Sequence, residues 1–337
     1  MRCGSFVLRV GLIVLALGLT LAPSGWAQYV IVSSDFNDSI QKYDLAGNHL
    51  GAFVPTGGGG LDSPQGITVG PDGNVYVSSA NNDRVLKYNG ATGAFLGAIT
   101  GGGLDQPWFC TFGPDHNLYV SSSLTSQVLC FDGASGAFLR VAASGGGLFR
   151  PDGLSFDPAG NLLVSDFWLP NSRVKRFDPA TGQFLGDSVV DAGLRQPLQN
   201  RLSEDGSTLL VSSYGTNEIR KYTAGGFVGT FAPSPLSGPV GQLVLPNGDV
   251  VVSSWNNSAL LRFDGTGDHY LGVFSAADGL DHPNNLALLN VPEPSAAAAV
   301  ATFAVGCLLC ARCRYTRGST AQAGKEHATS CLNMSTS

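Results

Sequence analysis

The side chains best suited to recognise a ligand follow six prolines that recur every 42 to 46 residues: Pro64, Pro107, Pro151, Pro197, Pro239 and Pro283. The residues directly after these marker prolines are Gln65, Trp108, Asp152, Leu198, Val240 and Asn284, and the next positions include Phe109, Gln199 and Asn285. A second group follows a short apolar segment in several of the repeats and comprises Asp35, Phe36, Phe167, Trp168, Tyr214, Trp255 and Asn256.

Aromatic rings beside amides suit a sugar or a peptide, because the rings stack on apolar surface while the amides make directional hydrogen bonds. We therefore predict a ligand-binding site that contains Gln65, Trp108, Asp152, Trp168, Tyr214, Trp255 and Asn284. The alternative is that these large side chains only fill space between loops.

Acid–base chemistry has few candidates in the same segments. His282 follows Asp281 directly, and a histidine paired with a carboxylate can transfer protons. Asp152 is the second candidate catalytic residue. The sequence contains no Gly-x-Ser-x-Gly elbow and no recognisable Cys/His arrangement for a nucleophilic enzyme. The residues therefore favour a binding site over a catalytic one.

The repeats that position these side chains predict an all-β, six-bladed β-propeller. A period in the forties with several short strands per unit is typical of propeller blades. In the second unit, the segments 66–69, 75–79, 84–88 and 94–99 have strand character, and Pro71-Asp72-Gly73-Asn74 and Thr92-Gly93 form turns between them. In such blades the loops entering the first strand and leaving the second strand meet at one end of the central tunnel. Both groups of residues above are therefore expected at this tunnel mouth.

The ends of the repeat region predict how the ring closes. Tyr29–Ser34 resembles a second strand with no first strand before it, and Asn285–Leu289 resembles a first strand with no blade after it. Together they would complete one mixed, four-stranded antiparallel blade and leave no open sheet edge at the junction. The six blades then account for residues 28–290, and no second globular domain is expected.

Charge argues against nucleic-acid binding by this body. Residues 28–290 contain 13 Lys and Arg against 23 Asp and Glu, which gives a formal net charge of −10. A nucleic-acid-binding domain needs a basic face that replaces the counterions of the phosphates. The chain as a whole has 45 glycines and 43% hydrophobic residues, which indicates a folded domain rich in turns.

Residues 1–27 have the pattern of a secretory signal peptide. Arg2 and Arg9 precede an apolar run from Val10 to Leu21, and Gly25-Trp26-Ala27 places small residues where cleavage would follow Ala27. The alternative is an uncleaved anchor, although the apolar run is short for a membrane span. We predict cleavage and export through the inner membrane.

The C-terminal segment has three ordered parts: Pro292-Glu293-Pro294, an apolar run from Ala296 to Ala311, and the basic residues Arg312, Arg314 and Arg317. An apolar helix followed by arginines halts translocation with its basic end in the cytoplasm. Residues 291–317 resemble the PEP-CTERM sorting signal of Gram-negative, exopolysaccharide-producing bacteria. That resemblance implies an exosortase-type processing enzyme as partner. Before processing, the apolar helix would anchor the protein in the membrane. The alternative is a plain C-terminal anchor.

The sorting signal is followed by a polar tail over residues 318–337, where such signals usually end sooner. Cys307, Cys310 and Cys313 have metal-like spacing, but they fall at the end of the apolar run without a fourth ligand, so no metal site is expected there. Cys110 and Cys130 fall on strand positions and are predicted to be small buried hydrophobic residues.

The repeats resemble NHL-type repeats and, more broadly, the streptogramin lyase and gluconolactonase group of propellers. The likeness spans the body through an ordered pattern of Pro, Gly-hydrophobic, Pro-Asp-Gly-Asn, Tyr-Val-Ser-Ser and Thr-Gly-x-Phe-Leu-Gly. Gluconolactonase-like members hold a divalent ion at the tunnel, which would make Asp152, Asp166 and Asn285 (or Asn284) the candidate ligands for calcium or magnesium. Gln65 and Trp108 stand where that group has an acidic ligand, so we expect no cofactor.

Taken together, the sequence predicts an exported propeller of the cell envelope, surface or extracellular matrix of a Gram-negative-type bacterium. Its expected role is non-catalytic binding of a glycan, peptide or protein partner, for example an envelope or exopolysaccharide component. The alternative is a secreted lyase or lactone hydrolase that uses the same face, since this architecture supports unrelated activities.

Overall fold

The structure is a computed structural model that describes residues 26–168, 170, 172–203, 205–231, 235–276 and 279–292. The expected signal peptide, the Glu293-Pro294 part of the sorting motif, the apolar run after it and the polar tail lie outside these residues and stay predictions. Pro292 is the last residue of the final strand. Within the described residues no helix is both long and apolar enough to cross a bilayer.

Each of the six sheets has four antiparallel strands and forms one blade, as the repeat pattern predicts. Blade 1 contains β1 (Trp26–Ser34), β2 (Ser39–Tyr43), β3 (His49–Val54) and β24 (Pro283–Pro292). Blade 2 contains β4 (Pro64–Val69), β5 (Val75–Ser79), β6 (Arg84–Tyr88) and β7 (Phe95–Ile99). Blade 3 contains β8 (Pro107–Phe112), β9 (Leu118–Ser122), β10 (Gln127–Phe131) and β11 (Phe138–Ala143).

The remaining three blades repeat this arrangement. Blade 4 contains β12 (Pro151–Phe156), β13 (Leu162–Asp166), β14 (Arg173–Phe177) and β15 (Phe184–Val190). Blade 5 contains β16 (Pro197–Leu202), β17 (Leu209–Ser213), β18 (Glu218–Thr223) and β19 (Gly226–Phe231). Blade 6 contains β20 (Pro239–Val244), β21 (Val250–Ser254), β22 (Ala259–Phe263) and β23 (Tyr270–Ser275).

The apolar cores lie between neighbouring blades rather than inside one blade. Ile31 and Ile40 of blade 1 pack with Val77 and Leu86 of blade 2, and the next core joins blade 2 to blade 3. The first strands β4, β8, β12, β16 and β20 contact one another in sequence and therefore surround the central axis. Cys110 and Cys130 are buried free thiols in these cores, as predicted.

Blade 1 closes the ring, and its strand order is β24-β1-β2-β3. The first strand of this blade therefore comes from the C-terminal end of the propeller and the other three from its N-terminal end, as the sequence predicts. Its faces pack against blade 2 on one side and blade 6 on the other. The compact unit extends over Ala27–Val291. Because β1 begins at Trp26, cleavage after Ala27 would remove its first two residues.

The marker prolines begin the first strands, two residues earlier than the apolar pattern of the second unit indicates. The reason is a β-bulge, because the pairing register shifts between Pro64 and Ile67, and equivalent shifts follow Pro107, Pro151, Pro197 and Pro239. The two residues that directly follow each of these prolines are therefore not paired with the second strand. Bulges commonly turn side chains towards a functional site, and here they free Gln65, Trp108 and Asp152 from sheet pairing.

The residue before each marker proline has a left-handed backbone. The φ angles lie between 49° and 62° for Ser63, Gln106, Arg150, Gln196, Gly238 and His282. Five of these residues carry a Cβ, for which this conformation is unfavourable. In all six blades the carbonyl of this residue accepts a hydrogen bond from the backbone N–H of the residue that follows the second strand, at 3.0 to 3.3 Å. This bond joins the two loops whose side chains face the tunnel mouth.

A second bond at the same residue crosses to the preceding blade. The Ser63 N–H donates to Asp38 Oδ1 at 2.7 Å and the Gln106 N–H to Asp83 Oδ1 at 2.8 Å. The residues before Pro197, Pro239 and Pro283 donate in the same way to Ser172, Asn217 and Ser258. Each acceptor belongs to the turn between the second and third strands of the neighbouring blade. The loops at the tunnel mouth are therefore fixed by contacts between blades.

Alternate blades have glycine at the second position after the marker proline. Gly66, Gly153 and Gly241 alternate around the ring with Phe109, Gln199 and Asn285. A Cβ on Gly66 would lie 2.8 Å from Phe109 Cα and 2.8 Å from the Cys110 nitrogen. The glycines therefore allow the backbone of the next first strand to approach closely.

We predict that Gly66→Ala lowers the free energy of unfolding by about 1–3 kcal/mol, because the new methyl group must displace backbone of β8. Urea denaturation measures this change. Gly225→Ala is the matched control, since its Cβ would meet Thr223 Oγ1 at 3.7 Å, an ordinary contact. Equal stability of the two variants would contradict the close packing of first strands.

Candidate functional site

A cavity of about 280 Å³ opens at the tunnel mouth and is called the mouth cavity below. It is lined by Asp35, Gln65, Gly66, Trp108, Phe109, Asp152, Phe167, Leu198, Gln199, Tyr214, Val240, Trp255, Asn284 and Asn285. All six residues that directly follow the marker prolines are among them. The structure therefore brings together Gln65, Trp108, Asp152, Tyr214, Trp255 and Asn284, six of the seven residues predicted to bind a ligand.

Trp168 is the predicted binding residue that does not line the mouth cavity. Its ring meets Phe149 edge-on, with ring centroids 5.7 Å apart, and the Arg150 guanidinium lies 5.6 Å from its centroid. The same guanidinium lies 4.8 Å from the centroid of Trp108, which does line the cavity. Trp168 therefore lies outside the cavity lining, and Arg150 connects it to Trp108.

Arg150 is the residue of this wall that the sequence analysis missed. Besides its two aromatic contacts, its guanidinium donates to Gln106 Oε1 at 3.2 Å and to Ser123 Oγ at 3.5 Å. Cation–π contacts and hydrogen bonds together hold the side chain against blade 3. The sequence signal that could have identified it is its position directly before the marker proline Pro151 and directly after Phe149.

A second aromatic cluster stands on the opposite side. Phe36 stacks on the His282 imidazole with centroids 4.0 Å apart, and Trp255 meets the same imidazole at 4.2 Å. Tyr214 packs edge-on against Trp255 at 6.2 Å and donates to Asn256 Oδ1 at 3.3 Å. Since Tyr214 and Trp255 also line the mouth cavity, this cluster forms an aromatic wall on that side.

Asp152 is the buried acid of the mouth cavity, with 8% of its surface exposed. Among the described residues, its carboxylate has neither a hydrogen bond nor an ion pair within 4.0 Å. Burial raises the pKa of the carboxyl to about 7, while the positive charge of Arg150 acts in the opposite direction. A carboxyl in this state can bind a cation or exchange a proton at neutral pH.

Asp35 is the other acid that lines the mouth cavity. Its Oδ1 accepts a hydrogen bond from Ser63 Oγ at 2.7 Å. Burial raises its pKa, whereas bonds to the side chains of Ser63, Gln65 and Asn284 act to lower it. Asp35 is therefore already held by protein groups, which distinguishes it from Asp152.

His282, the candidate catalytic histidine, lies beside the mouth cavity and not in its lining. Its Nδ1 is 2.6 Å from Asp281 Oδ1, so the pair expected from adjacency is formed. Asp152, the second candidate acid or base, belongs to the cavity wall in blade 4, whereas His282 precedes the first strand of blade 1. The structure provides a His–carboxylate pair at the rim and a separate acid inside the mouth cavity.

The three candidate metal ligands are divided between two places. Asp152 and Asn285 line the mouth cavity, but Asp166 does not. The Asp166 carboxylate accepts the Phe149 N–H at 3.2 Å and lies 3.8 Å from Lys175 Nζ. Burial raises the pKa of Asp166 to about 7, and the Lys175 charge acts in the opposite direction. In the part of the chain that the structure describes, no three His, Cys, Asp or Glu residues converge as a metal site.

The position of Asp166 has a structural explanation. In the five other blades a serine ends the second strand. In four of these blades its hydroxyl accepts the backbone N–H, and donates to the backbone carbonyl, of one residue in the loop before the first strand; these serines are Ser79, Ser122, Ser213 and Ser254. Ser34 of blade 1 bonds the Asp281 backbone in the same way. Asp166 replaces this serine in blade 4 and holds the same loop, which keeps its carboxylate away from the tunnel.

Solved structures resemble this fold across most of the chain, whereas no family model and no curated protein sequence matches it. A chain of a nidogen–laminin complex aligns with a TM-score of 0.64 at 15% identity, over 78% of this chain and 98% of that one. A protein of unknown function from Bacteroides caccae aligns with a TM-score of 0.62 at 16% identity, over 78% and 99%.

A virginiamycin B lyase from Staphylococcus aureus aligns with a TM-score of 0.59 at 14% identity, over 81% of this chain and 90% of the lyase. At such low identity these similarities establish the six-bladed propeller fold. They include an enzyme and a member of a protein–protein complex, so the fold by itself does not select a function.

We predict that Asp152→Asn changes how stability depends on pH. Because burial raises the carboxyl pKa from 3.8 to about 7, the folded protein binds more protons than the unfolded chain between these values. Stability from this group is therefore present at low pH and lost as the pH rises through 7. The free energy of unfolding of Asp152→Asn minus that of wild type should therefore increase by about 2–4 kcal/mol between pH 4 and pH 8.

Chemical denaturation at both pH values measures this difference. Asp268→Asn is the control, because it removes an acid from an exposed outer turn. A difference between wild type and Asp152→Asn that is independent of pH would show that the carboxylate ionises in the cavity without cost.

Proposed function

We propose that this protein is an exported, surface- or matrix-associated propeller that binds a glycan, peptide or protein partner without transforming it. The observation that carries the proposal is the mouth cavity, in which two tryptophans, further aromatic rings, amides and one unpaired acid converge. Its volume of about 280 Å³ is near the lower end for small-molecule sites and fits one sugar ring or one amino-acid side chain. Larger partners would insert a single residue or sugar unit.

Export is proposed from the sequence of the two termini. Residues 1–27 supply the signal peptide, and Pro292, Glu293 and Pro294 with the following apolar run and arginines supply the sorting signal for an exosortase-type enzyme. An envelope or exopolysaccharide component is then the partner that the protein would encounter. NHL-type membership is part of this proposal and rests on the repeat pattern.

We predict a mature species that runs from Gln28 to near Val291. Intact mass spectrometry of envelope and medium fractions from the native host measures its ends and its location. Such a species would support both processing signals. A membrane species that retains Cys307 to Ser337 would instead indicate a plain anchored propeller without exosortase processing.

For ligand binding, we predict that Trp108→Ala and Trp255→Ala each weaken the association with exopolysaccharide purified from the host by about 5- to 30-fold. Each substitution removes one aromatic wall of the mouth cavity, and Trp168→Ala should have a smaller effect because its ring lies outside. Co-sedimentation measures the affinity. Leu271→Ala is the control, since Leu271 is an exposed apolar residue of the outer strand of blade 6. Equal binding by all four variants would contradict the proposal.

The alternative function is a secreted lyase or lactone hydrolase at the same face, and the observation that favours it is the 2.6 Å contact between His282 and Asp281. An enzyme would lose its turnover on a single substitution, whereas a binder loses affinity in steps across several aromatic residues. Turnover of a lactone panel by wild type that disappears in His282→Gln would select the enzyme. Asp152→Asn tests the second candidate acid or base in the same assay.

A further inference from the structure

We infer that the ligand group bound at Asp152 is a protonated amine, and that the ligand is a glycan with free, unacetylated amino sugars. This inference rests on the proposed function and specifies the chemistry of its ligand. It is drawn from four features of the mouth cavity: an unpaired acid, an occupied neighbouring arginine, aromatic walls, and amides with one polar atom unused.

The acid is the first feature. Asp152 is more than nine-tenths buried and lines the mouth cavity, and its carboxylate has no hydrogen-bonding partner among the described residues. Burying a carboxylate without partners lowers the stability of the fold, so we expect a ligand from outside the chain to supply the missing partner. An ammonium group supplies up to three donors and the opposite charge.

The nearest cation does not fill this role. Arg150 is two residues away, but its guanidinium lies over Trp108 and Trp168 and donates to Gln106 and Ser123. Within the described residues it forms no ion pair with Asp152. The protein thus directs its own arginine into the wall and leaves the acid facing the cavity.

The surroundings favour a cation over a neutral or anionic group. Trp108, Phe109, Phe167, Tyr214 and Trp255 line the same cavity, and aromatic faces attract positive charge. The propeller body has 13 basic and 23 acidic residues, so its overall field attracts cations and repels anions. An uronic-acid polymer would meet repulsion at this site.

The amides point to a sugar as the carrier of the amine. Gln65 Nε2 donates to Ser63 Oγ at 2.9 Å and Asn284 Nδ2 donates to the Pro64 carbonyl at 3.2 Å, so their oxygens stay available to a ligand. Asn285 Oδ1 accepts from the Leu286 N–H at 2.8 Å, which leaves its amino group available. Within the described residues the cavity therefore presents both acceptors and donors, as ring hydroxyls require.

The test measures binding of three oligosaccharides of equal length by calorimetry: a β-1,4-linked glucosamine tetramer, its fully N-acetylated counterpart, and the glucose tetramer. We expect wild type to bind the glucosamine tetramer at least about tenfold more tightly than the other two. Asp152→Asn should remove that preference, and Asp268→Asn should retain it. A preference that persists in Asp152→Asn, or equal binding of the three probes by wild type, overturns the inference.

Further outcomes separate this inference from the proposed function. If lysine methyl ester binds as tightly as the glucosamine tetramer, and also requires Asp152, the ligand is a peptide amine and the sugar assignment is overturned. If calcium or magnesium binds in the absence of any sugar, and this binding requires Asp152, the assignment of a protonated amine is overturned. Absence of binding by all three tetramers, together with Trp108-dependent co-sedimentation with host exopolysaccharide, overturns the amino-sugar inference and leaves the proposed function standing.

Discussion

The left-handed residue before each marker proline is the constraint on which the functional face depends. Its carbonyl bonds to the residue that follows the second strand of its own blade, and in five junctions its N–H bonds to a turn of the preceding blade. At these five junctions the bonds hold the left-handed backbone from two sides, and at Arg150 the bond from the Phe167 N–H to its carbonyl holds it from one. The bulges after Pro64, Pro107, Pro151, Pro197 and Pro239 then turn two residues each out of the ladder and towards the tunnel mouth.

The same constraint explains why an unpaired acid is tolerated in the site. Asp152 stands in the bulge between Pro151 and Leu154, directly after the turn that the bond from the Phe167 N–H to the Arg150 carbonyl holds, so its burial lowers stability without rearranging the loop. Asp166, its neighbour across blade 4, has the opposite fate because it replaces a serine that holds the loop before the first strand. Two aspartates in one blade thus differ in role: one secures the wall, and the other faces the cavity.

Sequence reasoning predicted the blades well because their signals are local. The bounds of β5 and β6, Val75–Ser79 and Arg84–Tyr88, agree with the apolar pattern and its turns. Six of the seven predicted binding residues line one cavity. Four of them directly follow a marker proline, and Tyr214 and Trp255 directly follow a second strand, so the repeat pattern alone places all six at the tunnel mouth. Trp168 and Asp166 lie outside the lining of the mouth cavity, and Arg150 was not among the predicted residues. Their positions depend on individual side-chain contacts that leave no periodic signal: Trp168 with Arg150, Asp166 with the Phe149 N–H, and Arg150 with Trp108 and Gln106.

Hydrogen exchange with host exopolysaccharide present and absent is the most direct test that the tunnel mouth is the binding face. The account predicts slower amide exchange in the loops that carry Asp35, Phe167, Tyr214 and Trp255, with the outer strand Phe95–Ile99 unchanged. These loops surround the mouth cavity, and a bound chain would restrict their opening. Protection confined to outer strands, with the four loops unchanged, would place the binding surface elsewhere and contradict the account.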